Sequence, residues 1–187
     1  MKKYITLIFI VTVVFTACKN EMQNEIQKEI EEVDSLISLV DEIEKSVLSV
    51  DTSRAFAAKK QVSMDIAMIE SLEDTLDKET AFKLDDYYSG KKRLFRFASN
   101  YNGFIKEIDL AKEQLNNLKQ DLNNGLIDKE KFKDYYASEQ ASVMSLSSQV
   151  NKSVGGLEEA MQKMELNRED ILKVFEELKQ KNAENVE

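Results

Sequence analysis

Carboxylates and one thiol are the side chains of this sequence that could carry out chemistry. The 187 residues include 35 Asp and Glu and one cysteine, Cys18, but no histidine. Without imidazole there is no proton shuttle near neutral pH and no Ser–His or Cys–His nucleophile pair. A single cysteine cannot form an internal disulfide or a cysteine-rich zinc site. Covalent chemistry is therefore expected only at Cys18.

The acidic residues form no catalytic or metal-binding motif. Residues 121–128 have the composition of a calcium loop, and Gly125 would be its glycine. That alignment puts Leu122 at a ligand position and Lys131 where the bidentate glutamate must be, so a plain turn is predicted. Two methionine pairs are expected to fill the core, because no histidine or cysteine accompanies them as a soft ligand. The pairs are Met64 with Met68 and Met161 with Met164. We predict no catalytic residue, no metal and no cofactor.

Residues 1–17 have the pattern of an export signal. Met1-Lys2-Lys3 is a basic head, and an apolar run follows from Ile5 to Phe15. This run is shorter than the roughly 20 apolar residues that a membrane-spanning helix needs. A basic head, a short apolar core and small residues at the end are typical of a secretory signal peptide. The alternatives are an N-terminal core helix and a true membrane span.

The segment Phe15-Thr16-Ala17-Cys18 resembles the lipobox of bacterial lipoproteins, although Phe15 stands where that family usually has Leu, Val or Ile. The resemblance covers residues 1–18 only. It implies cleavage between Ala17 and Cys18, a diacylglyceryl group on the Cys18 thiol and acylation of the new amino group. The alternative is that Cys18 is a buried free thiol.

A lipid anchor would hold the mature chain, which starts at Cys18, on a membrane. Two or more acyl chains make such attachment stable, since each buried methylene contributes about 0.8 kcal/mol. Lys19 occupies the second mature position, where many lipoproteins of the inner membrane have Asp. The resemblance therefore implies the outer membrane of a bacterial cell envelope, and it leaves the periplasmic and the external face open.

Beyond Cys18 the apolar residues recur at alternating spacings of three and four, which predicts long amphipathic helices. Helices are predicted over 21–50, 53–77, 80–123 and 128–178, with a restart or bend at 167–170. The predicted fold class is all-α, an elongated antiparallel helical bundle of three to four long helices that resembles a coiled coil. The predicted domain boundaries are a tether over 18–25, a helical bundle domain over 26–182 and a polar tail over 183–187.

The predicted apolar stripes follow one face of each helix. They are Ile26, Ile30, Val33, Ile37, Val40 and Val47 in the first helix, with Leu36, Leu39 and Ile43 beside them; Val62, Ile66, Ile69, Leu72 and Leu76 in the second; Leu84, Tyr88, Phe95, Ala98, Ile105, Ile108, Leu115, Leu118 and Leu122 in the third; and Phe132, Tyr136, Val143, Leu146, Val150, Leu157, Ala160, Met164, Ile171, Phe175 and Leu178 in the fourth. Because the third stripe keeps its phase past Gly103, we predict one unbroken helix there.

Turn and capping signals separate the predicted helices. Asp51 and Asp128 can cap the helices that follow them, and Gly125 can adopt the left-handed conformation that ends a helix. If the chain folds back at Gly125, the numbers of facing residues add up to about 250. Phe95 would then lie opposite Gly155-Gly156, where a missing side chain leaves room for its ring. Lys92 and Arg93 would lie beside Glu158 and Glu159.

Aromatic and basic residues are concentrated in one short segment of the third predicted helix. Tyr87, Tyr88, Lys91, Lys92 and Arg93 form a candidate partner-binding patch, because Tyr and Arg are enriched in interface hot spots. The alternative is a segment that is half core and half solvated. Basic residues with aromatics also suit single-stranded nucleic acid. The formal net charge of −9 makes a nucleic acid partner unexpected.

The predicted function is that of a membrane-anchored, non-catalytic lipoprotein, whose helical bundle serves protein–protein interaction or envelope structure. The expected partners are the membrane, through the lipid anchor, and another envelope protein. Apolar stripes that the bundle leaves uncovered would permit a homo-oligomer. The alternative function is a helical-hairpin holdase for unfolded envelope proteins. An enzyme would have to be a carboxylate-dependent hydrolase, for which the sequence has no motif.

Overall fold

A computed structural model describes the backbone of residues 2–71 and 78–184. Side chains are described for residues 23–71, 78–85, 87–181 and 183. The cleavage and lipid-attachment sites predicted at Ala17 and Cys18 concern side chains outside these described residues, and both stay predictions.

All regular structure in the described part of the chain is helical. The helices are α1 (Lys2–Leu48), α2 (Thr52–Glu70), α3 (Lys78–Tyr88), α4 (Lys91–Asn123), α5 (Lys129–Val154) and α6 (Leu157–Glu184). The predicted all-α helical bundle is confirmed. The prediction of three to four helices is wrong for the described residues, since the third predicted helix is broken after Tyr88 and the fourth after Val154. Helix α4 continues through Gly103, as predicted, and α6 continues through 167–170 without the restart that was one of the two predictions there.

The local signals at the helix ends act as predicted. The backbone N–H groups of Arg54 and Lys131 each donate over 2.9 Å to the Oδ1 atoms of Asp51 and Asp128, respectively, and thereby cap α2 and α5. Gly125 has φ of 65°, and the N–H of Leu126 donates to the carbonyl of Asp121 over 2.9 Å. This is a Schellman ending, which satisfies carbonyl groups that the last turn of α4 leaves unpaired.

Contacts group the chain into two units. The first combines Met1–Glu42 with Ile108–Ser145, and the second combines Ile43–Glu107 with Leu146–Glu187.

In the first unit, ion pairs establish the directions of the helices. Lys119 Nζ lies 2.6 Å from Asp34, and Lys112 Nζ lies 2.8 Å from Asp41. Residue numbers rise by seven in α1 while they fall by seven in α4, so these two helices are antiparallel and the pairs lie one heptad apart. Lys129 of α5 pairs with Glu25 of α1. The buried apolar residues of this unit are Ile30, Val33, Leu36, Val40, Ile108, Ala111, Leu115, Leu118, Leu122, Phe132 and Val143.

A buried carboxyl group in the first unit predicts a dependence of stability on pH. Glu29 is 9% exposed; its burial, and secondarily the charge of Glu25, raise its pKa above the ordinary 4.5. Because the pKa of Glu29 is higher in the folded state than in the unfolded state, protonation of Glu29 stabilises the fold. This stabilisation is complete below pH 4.5 and is lost as the pH rises through the folded-state pKa. Glu29→Gln should therefore raise the free energy of unfolding at pH 7, and the gain should shrink on acidification. Urea titrations at pH 4 and pH 7, with exposed Glu42→Gln as the control, measure this; a loss of stability in Glu29→Gln at pH 7 would contradict it.

In the second unit, Gly90 and the start of α4 follow the predicted hairpin register. Arg93 Nη1 donates to the carbonyl of Gly156 over 3.4 Å, and Arg96 Nη1 donates to that of Lys152 over 3.1 Å. A Cβ atom added to Gly90 would lie 2.6 Å from the Cβ of Ala160. The numbers of these facing residues add up to between 248 and 250, which confirms the predicted register.

The side chains that fill this hairpin differ from those predicted. No Phe95 atom lies within 4 Å of a Cβ built at Gly155. The ring of Phe95 instead faces the ammonium groups of Lys59 and Lys91, at 5.7 and 5.8 Å from its centroid. Gly156 has φ of 69° and belongs to the break between α5 and α6. The glycine that permits close approach of two backbones is Gly90.

The predicted charge neighbours are found in part, since a Cβ atom built at Gly156 would lie 3.0 Å from Arg93 Nη1 and 3.9 Å from Glu159 Oε2. Glu158 pairs with Arg54, and Arg93 donates to a backbone carbonyl group.

The phase of two apolar stripes also differs from the prediction. In α4 the buried residues are Leu94, Phe97 and Phe104 instead of Phe95, Ala98 and Ile105. The prediction carried the phase of Leu84 and Tyr88 through Ser89-Gly90, where the helix is in fact interrupted and its phase restarts. In α1, Leu36 and Ile43, which were predicted beside the stripe, are buried, whereas the predicted stripe residue Ile37 is only half-buried.

Close packing at Gly90 predicts sensitivity to a single methyl group. Gly90→Ala brings its Cβ to 2.6 Å from Ala160 and 3.1 Å from Met164, which forces two helices apart and should lower the free energy of unfolding by about 1–3 kcal/mol. Gly103→Ala is the matched control in α4, because nothing lies within 4 Å of its Cβ position. Gly103→Ala should raise the free energy of unfolding by about 0.5–1 kcal/mol, because alanine has a higher helix propensity than glycine. Urea denaturation measures both, and equal stabilisation by the two alanines would contradict the close contact.

Candidate functional site

A cleft between α2 and α6, closed at one side by α3, is the candidate functional site of the second unit. Its volume is about 240 Å³. The floor is apolar and consists of Ala57, Ala58, Val62, Met161 and Met164. The rim is polar and consists of Arg54, Gln61, Glu165 and Arg168, while the buried Tyr87 also lines the cleft. The small side chains of Ala57 and Ala58 leave the space that larger residues would fill.

A charged clamp closes the rim where α2 begins. Arg54 Nη2 and Nε donate to the two carboxylate oxygens of Glu165 over 2.9 and 3.0 Å, and Arg54 Nη1 pairs with Glu158. These hydrogen bonds raise the pKa of Arg54 and lower that of Glu158. Asp51 is the N-cap of α2, so Arg54 lies in the first turn of this helix. The bidentate pairing of Arg54 with Glu165 holds this end of α2 against α6.

A buried carboxylate lies behind the cleft. Asp65 is 1% exposed; Tyr87 donates to its Oδ2 over 2.5 Å and the Gln61 amide donates to its Oδ1 over 2.8 Å. Arg168 Nε lies 3.5 Å from Oδ2. Burial and the hydrogen bond to Asp65 raise the pKa of Tyr87 well above its ordinary value, so the phenol stays protonated. The charge of Asp65 is thus compensated by a phenol, an amide and a guanidinium group from three helices.

Sequence reasoning missed Asp65. A weak signal was present, since Asp65 follows the stripe residue Val62 by three positions and therefore lies on the same face of α2. Its hydrogen-bond donor Tyr87 is 22 residues away, and no local pattern connects the two. Of the two methionine pairs predicted to fill the core, Met161 and Met164 are buried there, whereas Met64 is 47% exposed and Met68 is half-buried.

One residue of the predicted partner-binding patch lies in the core. Tyr87 is 1% exposed and bound to Asp65, so it is removed from the patch. Tyr88 is half-buried, which raises its pKa to about 12, and Lys91 Nζ lies 5.6 Å from its ring centroid. Arg93 donates to Gly156, whereas Lys92 is exposed. The four residues other than Tyr87 stay a prediction.

The cleft combines an apolar floor with charges that are held in fixed positions by ion pairs. Both oxygens of Asp65 accept internal hydrogen bonds, so this carboxylate holds helices together. Among the side chains that the structure describes, no group of three Asp, Glu or Cys residues is placed to hold a metal ion. No helix in this described part of the chain has the length and apolarity needed to cross a bilayer. Neither a protein family model nor a solved structure matches this chain.

Proposed function

We propose that the chain is a membrane-anchored, non-catalytic lipoprotein of the bacterial envelope, held by a lipid on Cys18, whose helical bundle binds another envelope protein. The outer membrane is its proposed location. The elongated, coiled-coil-like form expected from the apolar stripes is part of the same proposal.

The observation that carries the proposal is the cleft between α2 and α6. A volume of about 240 Å³ is of the size that one or two apolar side chains occupy, and the floor offers them five apolar residues. Arg54 is held in place by Glu158 and Glu165, so little side-chain entropy is lost when a partner docks beside it. An apolar pocket beside a fixed Arg side chain is typical of interface hot spots, in which Arg is enriched. The sequence adds the lipobox-like segment that ends at Cys18.

Photo-crosslinking in intact cells tests this proposal. A photo-reactive residue at Ala57, which lines the cleft, should give one discrete crosslinked product. The same residue at Ser63, an exposed position of α2 that is not part of the cleft, is the matched control. Filling the cleft with Ala58→Leu should abolish the Ala57 product, and Cys18→Ser should release the protein from the membrane fraction.

Two outcomes would contradict the proposed binding site. Equal products from Ala57 and Ser63 would show that the cleft is not the contact. A continuous ladder of products from both positions would instead indicate a holdase, which binds many unfolded proteins. Retention of the Cys18→Ser variant in the membrane would contradict the lipid anchor independently of the cleft.

A further inference from the structure

Helix α2 adds little apolar packing to the second unit. Every residue of α2 is described, and of its 19 residues only Ala55, Val62 and Asp65 are buried. Ile66 and Ile69 pack against the same core but stay partly exposed. The described part of α6 buries six apolar side chains, which are Leu157, Met161, Met164, Ile171, Val174 and Leu178. Because hydrophobic stabilisation scales with the apolar area removed from water, this effect holds α2 less firmly than α6.

An ion-pair latch fastens the beginning of α2 to α6. Arg54 pairs with Glu158 and Glu165, and these three side chains keep exposed fractions of 30%, 55% and 57%. Ion pairs with such exposure contribute little to stability, since both charges are well hydrated when the pair separates. The latch therefore opens at a small cost in free energy.

The buried link between α2 and its neighbours is incompletely satisfied. Tyr87 of α3 donates to Asp65, whereas the hydrogen bond from Gln61 to Asp65 lies within α2 and survives if α2 moves away. Arg168 Nε is shielded from water, and no atom of the described residues accepts a hydrogen bond from it. Opening of α2 would hydrate the Asp65 carboxylate and the Arg168 Nε atom beside it, which offsets part of the interaction that is lost.

The cleft leaves a gap beneath α2. About 240 Å³ between α2 and α6 is not filled by side chains, and α2 lines this space with the small residues Ala57 and Ala58. Atoms that border such a gap lose the dispersion contacts of close packing. An apolar side chain in the gap would restore those contacts and hold α2 in place.

From these contacts we infer that α2 is a lid over the cleft, which opens while the rest of the second unit stays folded and closes over the apolar side chain of a partner. The inference rests on the proposed function of the cleft as a binding site. Opening separates Arg54 from Glu158 and Glu165, and it uncovers Met161 and Met164 on the cleft floor. Closing re-forms the latch beside the bound side chain, so occupancy of the cleft stabilises the closed position of α2.

Amide hydrogen exchange of the full chain, followed by mass spectrometry, tests the lid. Relative to the exchange rates of an unfolded chain, the amides of α2 should exchange about tenfold faster, or more, than those of residues 157–178 in α6. We expect Arg54→Met to speed the exchange of α2 by a further factor of about three to ten, because the latch is removed. Ala58→Leu should slow the exchange of α2 about tenfold, because the leucine takes the place of the partner's side chain in the cleft. Lys60→Ala is the matched control and should change neither rate, since Lys60 is an exposed position of α2 outside the cleft.

Three results would refute the lid. If α2 and α6 exchange at the same rate, α2 opens only when the whole unit unfolds. If Arg54→Met leaves the exchange of α2 unchanged, the ion pairs are not a latch. If Ala58→Leu speeds the exchange of α2, the cleft is not a gap that an apolar side chain can fill.

The lid and the binding site can fail separately. A discrete photo-crosslinked product at Ala57 without faster exchange of α2 keeps the binding site and refutes the lid. Faster exchange of α2 without any crosslinked product supports the opening of α2 and contradicts the binding site on which the inference rests.

Discussion

Leu115→Asp is expected to abolish cooperative unfolding of the protein. Leu115 is 0% exposed and lies on the buried face of α4 in the first unit. An aspartate there would be a buried charge without a partner, and the packing of the leucine side chain would be lost as well. We therefore expect the free energy of unfolding to fall by more than about 4 kcal/mol. Circular dichroism during thermal denaturation measures this as the disappearance of a sigmoidal transition.

The matched control for that variant is Leu110→Asp. Leu110 belongs to the same helix and the same unit, but it is 53% exposed. The free energy of unfolding should therefore change by no more than about 0.5 kcal/mol. If Leu115→Asp unfolds with the same midpoint as Leu110→Asp, the assignment of the buried face of α4 is wrong.

Asp65→Ala is expected to lower the free energy of unfolding by about 3 kcal/mol, because it leaves buried polar groups without a partner. The Tyr87 hydroxyl and the Gln61 amide would both lose their acceptor, and Arg168 would lose the nearest carboxylate. Urea denaturation measures this change.

A double-mutant cycle identifies the source of that effect. Tyr87→Phe alone should lower the free energy of unfolding by about 1 kcal/mol, since one buried hydrogen bond is removed. In the Asp65→Ala background the same change should have little effect, because the phenol no longer has its acceptor. Additive effects of the two changes would show that the bond between Tyr87 and Asp65 does not stabilise the fold.

The parts of the fold that depend on neighbouring residues were predictable from the sequence. The caps at Asp51 and Asp128 and the turn at Gly125 are local hydrogen-bonding features, and the structure has all three. The hairpin register was predictable too, because the position of the turn determines which residues face each other. Arg96 and Lys152 meet where a turn at Gly125 predicts.

The errors arise where distant residues decide the structure. The sequence pattern predicts that Ser89-Gly90 belongs to a continuous helix, yet the helix is interrupted there. Gly90 packs against Ala160, which is 70 residues away in the sequence. The interruption shifts the buried face of α4 by one residue as far as Phe104. The cleft depends in the same way on Arg54, whose two acidic partners lie more than 100 residues away in α6. Such pairings leave no periodic signal in either helix.

The intact mass of the protein purified from membranes tests the central claim most directly. We expect a chain that begins at Cys18, heavier than residues 18–187 by a diacylglyceryl group on sulfur and an acyl group on the terminal amine. Fragmentation should place all of this added mass on Cys18. A chain that retains residues 1–17, or one that carries an unmodified thiol at Cys18, would contradict the proposed lipid anchor.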